Sequence, residues 1–238
     1  MQKTIFLTTT AILLILAVSC GQKSSSVKSN NNQESANSGA DEKRETIYVQ
    51  ELTSNEIPTE IAYVGDIVGA YKYVDNTGEN IVITTETEVM SSAEDEYGSA
   101  SYYKNIYAQR FLKTTLDWEE VWRLYDFTDE CTNYPVAAFV KGSLSITDLN
   151  SDGTAEIWMM YVKSCGGDIN PDAMFLRMYN NEEVYTLTGE AKLKLADGAS
   201  EQVVGGEYKL DDNFSDKNTP AVFVDFAKEL WKKHIYGN

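Results

Sequence analysis

Histidine, cysteine, proline and positive charge are all scarce in this chain. Its 238 residues include one histidine, three cysteines and four prolines, and 20 Lys and Arg against 37 Asp and Glu give a formal net charge of −17. Phosphate contacts need clusters of Lys and Arg, and without them nucleic acid is excluded as a partner. The same charge opposes tight docking on anionic lipid heads. No cysteine belongs to a Cys-x-x-Cys pair or lies near a histidine, which argues against thiol redox or cysteine-protease chemistry. No phosphate-binding Gly-Lys-Ser/Thr loop and no Gly-x-Ser-x-Gly elbow occurs. A long apolar run is missing too. The stretch from Ile5 to Val18 is too short for a comfortable transmembrane helix and fits the core of an export signal.

That stretch ends Leu16-Ala17-Val18-Ser19-Cys20-Gly21. A small residue directly before a cysteine at such a place resembles a bacterial lipobox. The resemblance implies cleavage after residue 19 and lipidation of Cys20; the alternative is an ordinary secretory signal. Gly21, where an aspartate would signal inner-membrane retention, implies an outer-membrane lipoprotein, periplasmic or surface-exposed. Residues 20–45 are rich in Ser, Asn, Gln, Lys and Glu and offer too little apolar surface to offset chain entropy, which predicts a disordered tether. Residues 46–238 have the size of one globular domain.

Within that domain one stretch is distinctive. Asp148-Leu149-Asn150-Ser151-Asp152-Gly153-Thr154-Ala155-Glu156 places oxygen side chains at positions 1, 3, 5 and 9 and glycine at position 6. Calcium takes six to eight oxygens, and alternate residues of a tight loop can turn theirs toward one centre. Asp148, Asn150, Asp152 and Glu156 would supply side chains and Thr154 its carbonyl. Met159 stands where an EF-hand has its bidentate Glu, and the flanks read as strands. The acid at position 9 resembles the calcium loops of integrin-type and propeller-type β-repeats, although only one copy is present. The expectation is a structural Ca2+ bound weakly, on the order of 0.1–1 mM; the alternative is an Asx-rich turn without metal.

With Cys20 taken, Cys131 and Cys165 remain. In an oxidising compartment such a pair bonds, closing a loop worth about 3–4 kcal/mol in the chain-entropy account; two buried free thiols are the alternative. Fifteen tyrosines suit β-structure and also a carbohydrate-stacking surface.

Apolar and aromatic runs predict strands at 61–74, 81–89, 102–112, 119–127, 136–140, 143–147, 157–162, 175–179, 183–187, 192–195 and 207–210, with a turn at 75–80, an acidic loop at 86–98 and a hairpin turn at Asn180-Asn181. A helix over 118–124 is an alternative for the fourth. Phe223, Phe226, Ala227, Leu230, Trp231 and His234 follow helical spacing, with Thr219 to cap, Pro220 in the first turn and Gly237 to stop. His234, on the apolar stripe, reads as a packed residue rather than a catalytic one. The predicted fold is mainly β: a meandering antiparallel sandwich or curled sheet with one C-terminal amphipathic helix.

Several features together resemble a family of bacterial lipoproteins labelled as surface polysaccharide biosynthesis proteins. They are the segment Ile146 to Tyr161, Cys165 with Gly167-Asp168, Pro171, Met178-Tyr179, Gly205-Gly206-Glu207-Tyr208, Asp212-Asn213-Phe214 and Leu230-Trp231-Lys232-Lys233. The likeness covers about residues 130–235. Gly166 stands where that family commonly has Arg, so no role for that Arg is carried over. The resemblance implies a process, surface polysaccharide, and no catalytic residues. Two functions follow as expectations. One is a non-enzymatic, lipid-anchored binding or assembly factor for a glycan or envelope protein. The other is a carbohydrate-active hydrolase with paired carboxylates; neighbours such as Asp129-Glu130 or Glu94-Asp95-Glu96 qualify, but arise by chance in so acidic a chain.

Overall fold

The computed structural model describes residues 47–167, 169–197 and 200–237; the expected signal at 1–19, Cys20 and the expected tether at 20–45 lie outside the described residues, as does Asp168. Two antiparallel sheets dominate. The first contains β1 (Val49–Glu51), β2 (Asp66–Asp75), β3 (Gly78–Glu86), β4 (Met90–Ser91), β5 (Tyr102–Lys113) and β6 (Trp118–Cys131), in the order β1-β2-β3-β5, with β4 and β6 also paired to β5. The second contains β7 (Pro135–Phe139), β8 (Ser145–Thr147), β9 (Glu156–Cys165), β10 (Ala173–Asn180), β11 (Glu183–Glu190) and, after a separate hairpin of β12 (Leu193–Asp197) and β13 (Ser200–Val204), β14 (Tyr208–Leu210). Its order is β14-β11-β10-β9-β7, with β8 on β9. A short helix α1 (Asp212–Ser215) and α2 (Ala221–Lys233) end the chain. Among the described residues no helix is long and apolar enough to cross a membrane.

Strand β9 explains the layering. Seven consecutive residues, Glu156 to Val162, are buried, as expected of a strand covered on both faces. Because side chains alternate, Ile157, Met159 and Tyr161 meet the first sheet's Tyr73, Val82, Ile106, Ala108 and Leu124. Trp158, Met160 and Val162 instead meet Phe223, Ala227, Leu230 and Trp231 of α2. The helical stripe therefore covers the outer face of the second sheet. On the far side, Ile81, Ile83 and Phe111 are covered by Leu52, Ile57 and Ile61 from the segment between β1 and β2. Each fully buried side chain of this kind stabilises the fold by roughly 1.5–3 kcal/mol.

The sandwich with a terminal helix is as the sequence pattern predicts. Details differ for local reasons. Residues 61–65 lead into β2 without joining it, and Gly65 turns there with φ +89°. Trp118–Leu124 is strand, since pairing with β5 buries alternate residues Trp122 and Leu124. The first hairpin turns tightly at Asn76-Thr77, with Asp75 opposite Gly78. The later one turns at Asn181-Glu182, with Asn180 still paired to Glu183 and Asn181 taking φ +53°. Pro220, not Thr219, is the residue preceding α2; the Thr219 hydroxyl donates to the Asn213 carbonyl instead. His234 caps the end of α2 through its N–H to the Leu230 carbonyl. It is buried, and burial, followed by the charge of Lys233, holds its imidazole below the ordinary value, against a hydrogen bond with the Gly142 backbone.

The sheets are also joined by polar contacts. Asp126 on β6 accepts from the Tyr161 hydroxyl at 2.8 Å and the Lys163 ammonium at 2.7 Å, both on β9. Burial alone would raise this carboxyl, but the hydrogen bonds from Lys163, Tyr161 and the Phe127 N–H prevail and hold it below the usual range. A depressed carboxylate contributes stability that is present above its unfolded value and is lost as pH falls through the folded one. Wild type should therefore lose stability below about pH 4 more steeply than Asp126→Asn, in denaturant midpoints measured from pH 6 to pH 2. Parallel curves would show that this contact carries no linkage.

Candidate functional site: an inter-sheet cleft and an acidic loop

The acidic loop joins β8 to β9 as a long hairpin connection, Thr147 pairing with Glu156. Its side chains first satisfy the loop's own backbone. Asp148 accepts from the N–H groups of Asp152 and Gly153, each at 3.0 Å; Asn150 Oδ1 accepts from Asp152 N–H at 3.2 Å; Asp152 Oδ1 accepts from Thr154 N–H at 2.8 Å. The Asn150 amide donates to Asp152 Oδ2 at 2.7 Å. Asp148, Asn150 and Asp152 are thus brought together with their oxygens clustered. Glu156 is fully buried behind them, accepting from the Thr147 hydroxyl at 2.7 Å and Leu149 N–H at 2.9 Å. Burial pushes its carboxyl up, against those hydrogen bonds, and Asp148 pushes it further. Among the described residues no group of three or more His, Cys, Asp and Glu side chains is placed to hold a metal ion. The donor chemistry of Asp148, Asn150 and Asp152, with the Thr154 carbonyl, fits a hard cation; Glu156 would have to leave Thr147 and Leu149 to join it.

The other side of this loop is docked on the first sheet. At the β2–β3 turn, Asn76 N–H donates to the Gly153 carbonyl at 2.8 Å and the Asn76 amide to the Asp152 carbonyl at 2.9 Å. Asp75 Oδ2 accepts from Ala155 N–H at 3.0 Å. Glycine is required at 153 twice over: φ is +81°, and a Cβ there would fall 2.1 Å from the Asn76 amide nitrogen. Gly153→Ala should cost about 2 kcal/mol from left-handed backbone strain alone, with the clash in addition, read as a lower thermal midpoint. A midpoint equal to wild type would mean that the clasp is soft.

Cys131 at the end of β6 and Cys165 at the end of β9 form a disulfide, with S–S 2.01 Å and Cα–Cα 5.3 Å, joining the two sheets. Of the acid groups singled out by sequence, Asp129-Glu130 lies at the end of strand β6 and Glu94-Asp95-Glu96 in a loop and turn. Glu130 has φ +53° beside Cys131, and Asp95 accepts from Tyr97 and Ser99 N–H groups to shape its own turn.

A cleft of about 500 Å³ opens between the sheets at the β2 start and the β7–β8 loop. Phe139, Leu144 and Met159 give it apolar walls, while Tyr71, Thr84 and Ser143 bring hydroxyls. Glu51 and Glu86 both line it. Glu86 is fixed by Lys104 at 2.6 Å and by the Phe139 N–H at 2.9 Å. Gly69 leaves the space open, since a Cβ there would press the Thr84 hydroxyl at 2.9 Å and Tyr71 at 3.1 Å. Sequence reasoning missed Glu51 and Glu86. They lie in different strands, no motif links them, and only pairing across β1-β2-β3 puts them on the border of one cleft. Compared with family models, curated proteins and solved structures, the chain matches none.

Proposed function

We propose that this protein is a lipid-anchored envelope domain, non-enzymatic, that binds a glycan or a partner protein in the assembly or display of surface polysaccharide. Cys20 would carry the lipid and residues 20–45 the reach from an outer membrane. The observation that carries the binding reading is the inter-sheet cleft, where hydroxyls and carboxylates border an apolar floor; concave sites of mixed character are the usual small-ligand sites. The inter-sheet disulfide supports an exported location, and the lipobox-like leader and the resemblance to surface polysaccharide lipoproteins support the compartment and process. A glycan array together with an envelope pull-down tests the reading: binding of either kind, weakened by Glu51→Ala, supports it, and a clean result in both would falsify it.

Calcium belongs to this reading as a structural ion, held by Asp148, Asn150, Asp152 and the Thr154 carbonyl, with Glu156 in reserve. At 10 mM Ca2+ and a dissociation constant on the order of 0.1–1 mM, linkage gives about 1.4–2.7 kcal/mol of added stability. The full chain should melt higher in Ca2+ than in chelator, and Asp148→Ala with Asp152→Ala should remove the difference. Identical melting curves would reduce the loop to a polar clasp.

The second reading, a carbohydrate-active hydrolase, is favoured by one observation: two carboxylates, Glu51 and Glu86, face one cleft. It requires release of reducing ends from a polysaccharide substrate, abolished by Glu51→Gln or Glu86→Gln; release unaffected by both would remove it.

A further inference from the structure

At the other end of the β2–β3 hairpin from the cleft lies a second pocket, of about 450 Å³, beside the acidic loop. Its floor includes Arg110, which is 1% exposed. A buried guanidinium is costly unless its charge and its donors are met. No carboxylate lies within ion-pair distance of it among the described residues. Its Nε–H donates to Asn80 Oδ1 at 3.0 Å and Nη2 to the Thr77 hydroxyl at 2.7 Å, with a long contact of 3.4 Å from Nη1 to Asn181 Oδ1. Thr77 and Asn80 in turn both donate to Asp75 Oδ1. The positive charge is therefore balanced by Asp75 at one remove, and no anion is needed to neutralise it.

The donors are a different matter. Guanidinium has five N–H groups, and three of them have the partners just named. Around the same group, the buried Tyr73 hydroxyl lies close enough to Arg110 to take one more of these N–H groups, while the indole N–H of Trp122, which stands directly opposite Arg110 on β6, is buried without a hydrogen-bond partner. Buried polar groups without partners are rare and ask for an explanation. At the pocket's mouth the balance reverses. Asp152, Glu182 and Asn181 offer acceptors, over an apolar edge made by Leu112 and Val121.

We infer that this pocket binds one residue of a neutral glycan. A sugar ring has hydroxyls that both donate and accept. They would accept from Arg110 below and donate to Asp152 and Glu182 above, while the ring's C–H face lies on Leu112 and Val121. The carboxylates at the mouth and the net charge of −17 repel an acidic polymer. The inference rests on the glycan-binding reading and moves its contact to a site distinct from the cleft.

The test is titration of the full chain with neutral oligosaccharides, hexamers of glucose and of N-acetylglucosamine, and with oligogalacturonate, followed by calorimetry and tryptophan fluorescence. Arg110 is buried, and its replacement risks unfolding, so the mouth carries the test. Asn181→Gly with Glu182→Ala, glycine being at ease at the left-handed φ of residue 181, should weaken neutral-sugar binding at least tenfold, with an unchanged melting point. Glu51→Ala in the cleft should leave that binding unchanged. Arg110→Lys, if folded by circular dichroism, should lose binding as well. Binding that survives the mouth variant but is lost on Glu51→Ala overturns the inference and leaves the cleft reading intact. Tighter binding of oligogalacturonate than of neutral sugars overturns the neutral specificity. No binding of any probe overturns the inference and removes the glycan arm of the proposed function.

Discussion

Replacing Cys131 and Cys165 together by alanine is expected to lower the unfolding free energy of the full chain by about 3–4 kcal/mol, on the chain-entropy account of a cross-linked loop of this size. The closed loop spans 34 residues and contains β7, β8, the acidic loop and β9. It therefore restrains in the unfolded chain the very segment that carries both the acidic clasp and the doubly buried strand. In the folded protein the bridge also joins the sheets at their far end, since Cys131 closes β6 and Cys165 closes β9. Urea denaturation of the double variant beside oxidised wild type measures the effect as a lower midpoint with an unchanged slope. A midpoint that does not move would mean the sheets are held by packing alone. It would also weaken the inference of export that the bridge supports. Alanine is the right replacement at 131, because that side chain is 1% exposed and a serine hydroxyl there would add a desolvation cost of its own.

Trp158→Ala is expected to cost about 3–5 kcal/mol, the range for truncating a fully buried aromatic residue. Trp158 is fully buried on the helix-facing side of β9. Its ring packs against Phe214 of α1 and against Phe223 and Phe226 of α2, with centroids 6.4, 6.2 and 4.8 Å away. Its indole N–H donates to the Thr147 hydroxyl at 2.9 Å, which itself donates to Glu156. Removing the ring therefore opens a cavity under the terminal helix and also frees one end of the acidic loop. Two readouts separate those consequences. Denaturant midpoints report the cavity, and amide exchange across residues 147–156 reports the loop. Trp158→Phe restores most of the packing but not the N–H donor, so the loop should exchange faster than wild type even when global stability is nearly recovered. If alanine costs less than about 1 kcal/mol, far below what core truncation entails, α2 is not packed as described.

The sequence by itself determined the elements whose signal is local. Alternation of apolar and polar side chains located most strands, and spacing at three and four residues located α2, because these periods follow from backbone geometry within a few residues. Composition singled out the acidic loop between two strands, and the cysteine count singled out Cys131 with Cys165. Elements with little apolar content escaped: β13 reads Ser-Glu-Gln-Val-Val, and α1 is one turn held by Asp211, which accepts the Phe214 N–H. The tertiary structure alone decided what the loop touches and where ligands fit. Asn76 meets Asp152 across 76 positions, Phe139 meets Glu86 across 53, and Arg110 meets Asn181 across 71. Such contacts leave no periodic trace, since each depends on which sheet face is turned inward and which strand ends are placed side by side. The oxygens of the acidic loop belong to one short segment and were legible. The cleft with Glu51 and Glu86, and the pocket over Arg110, exist only because the two sheets close on each other.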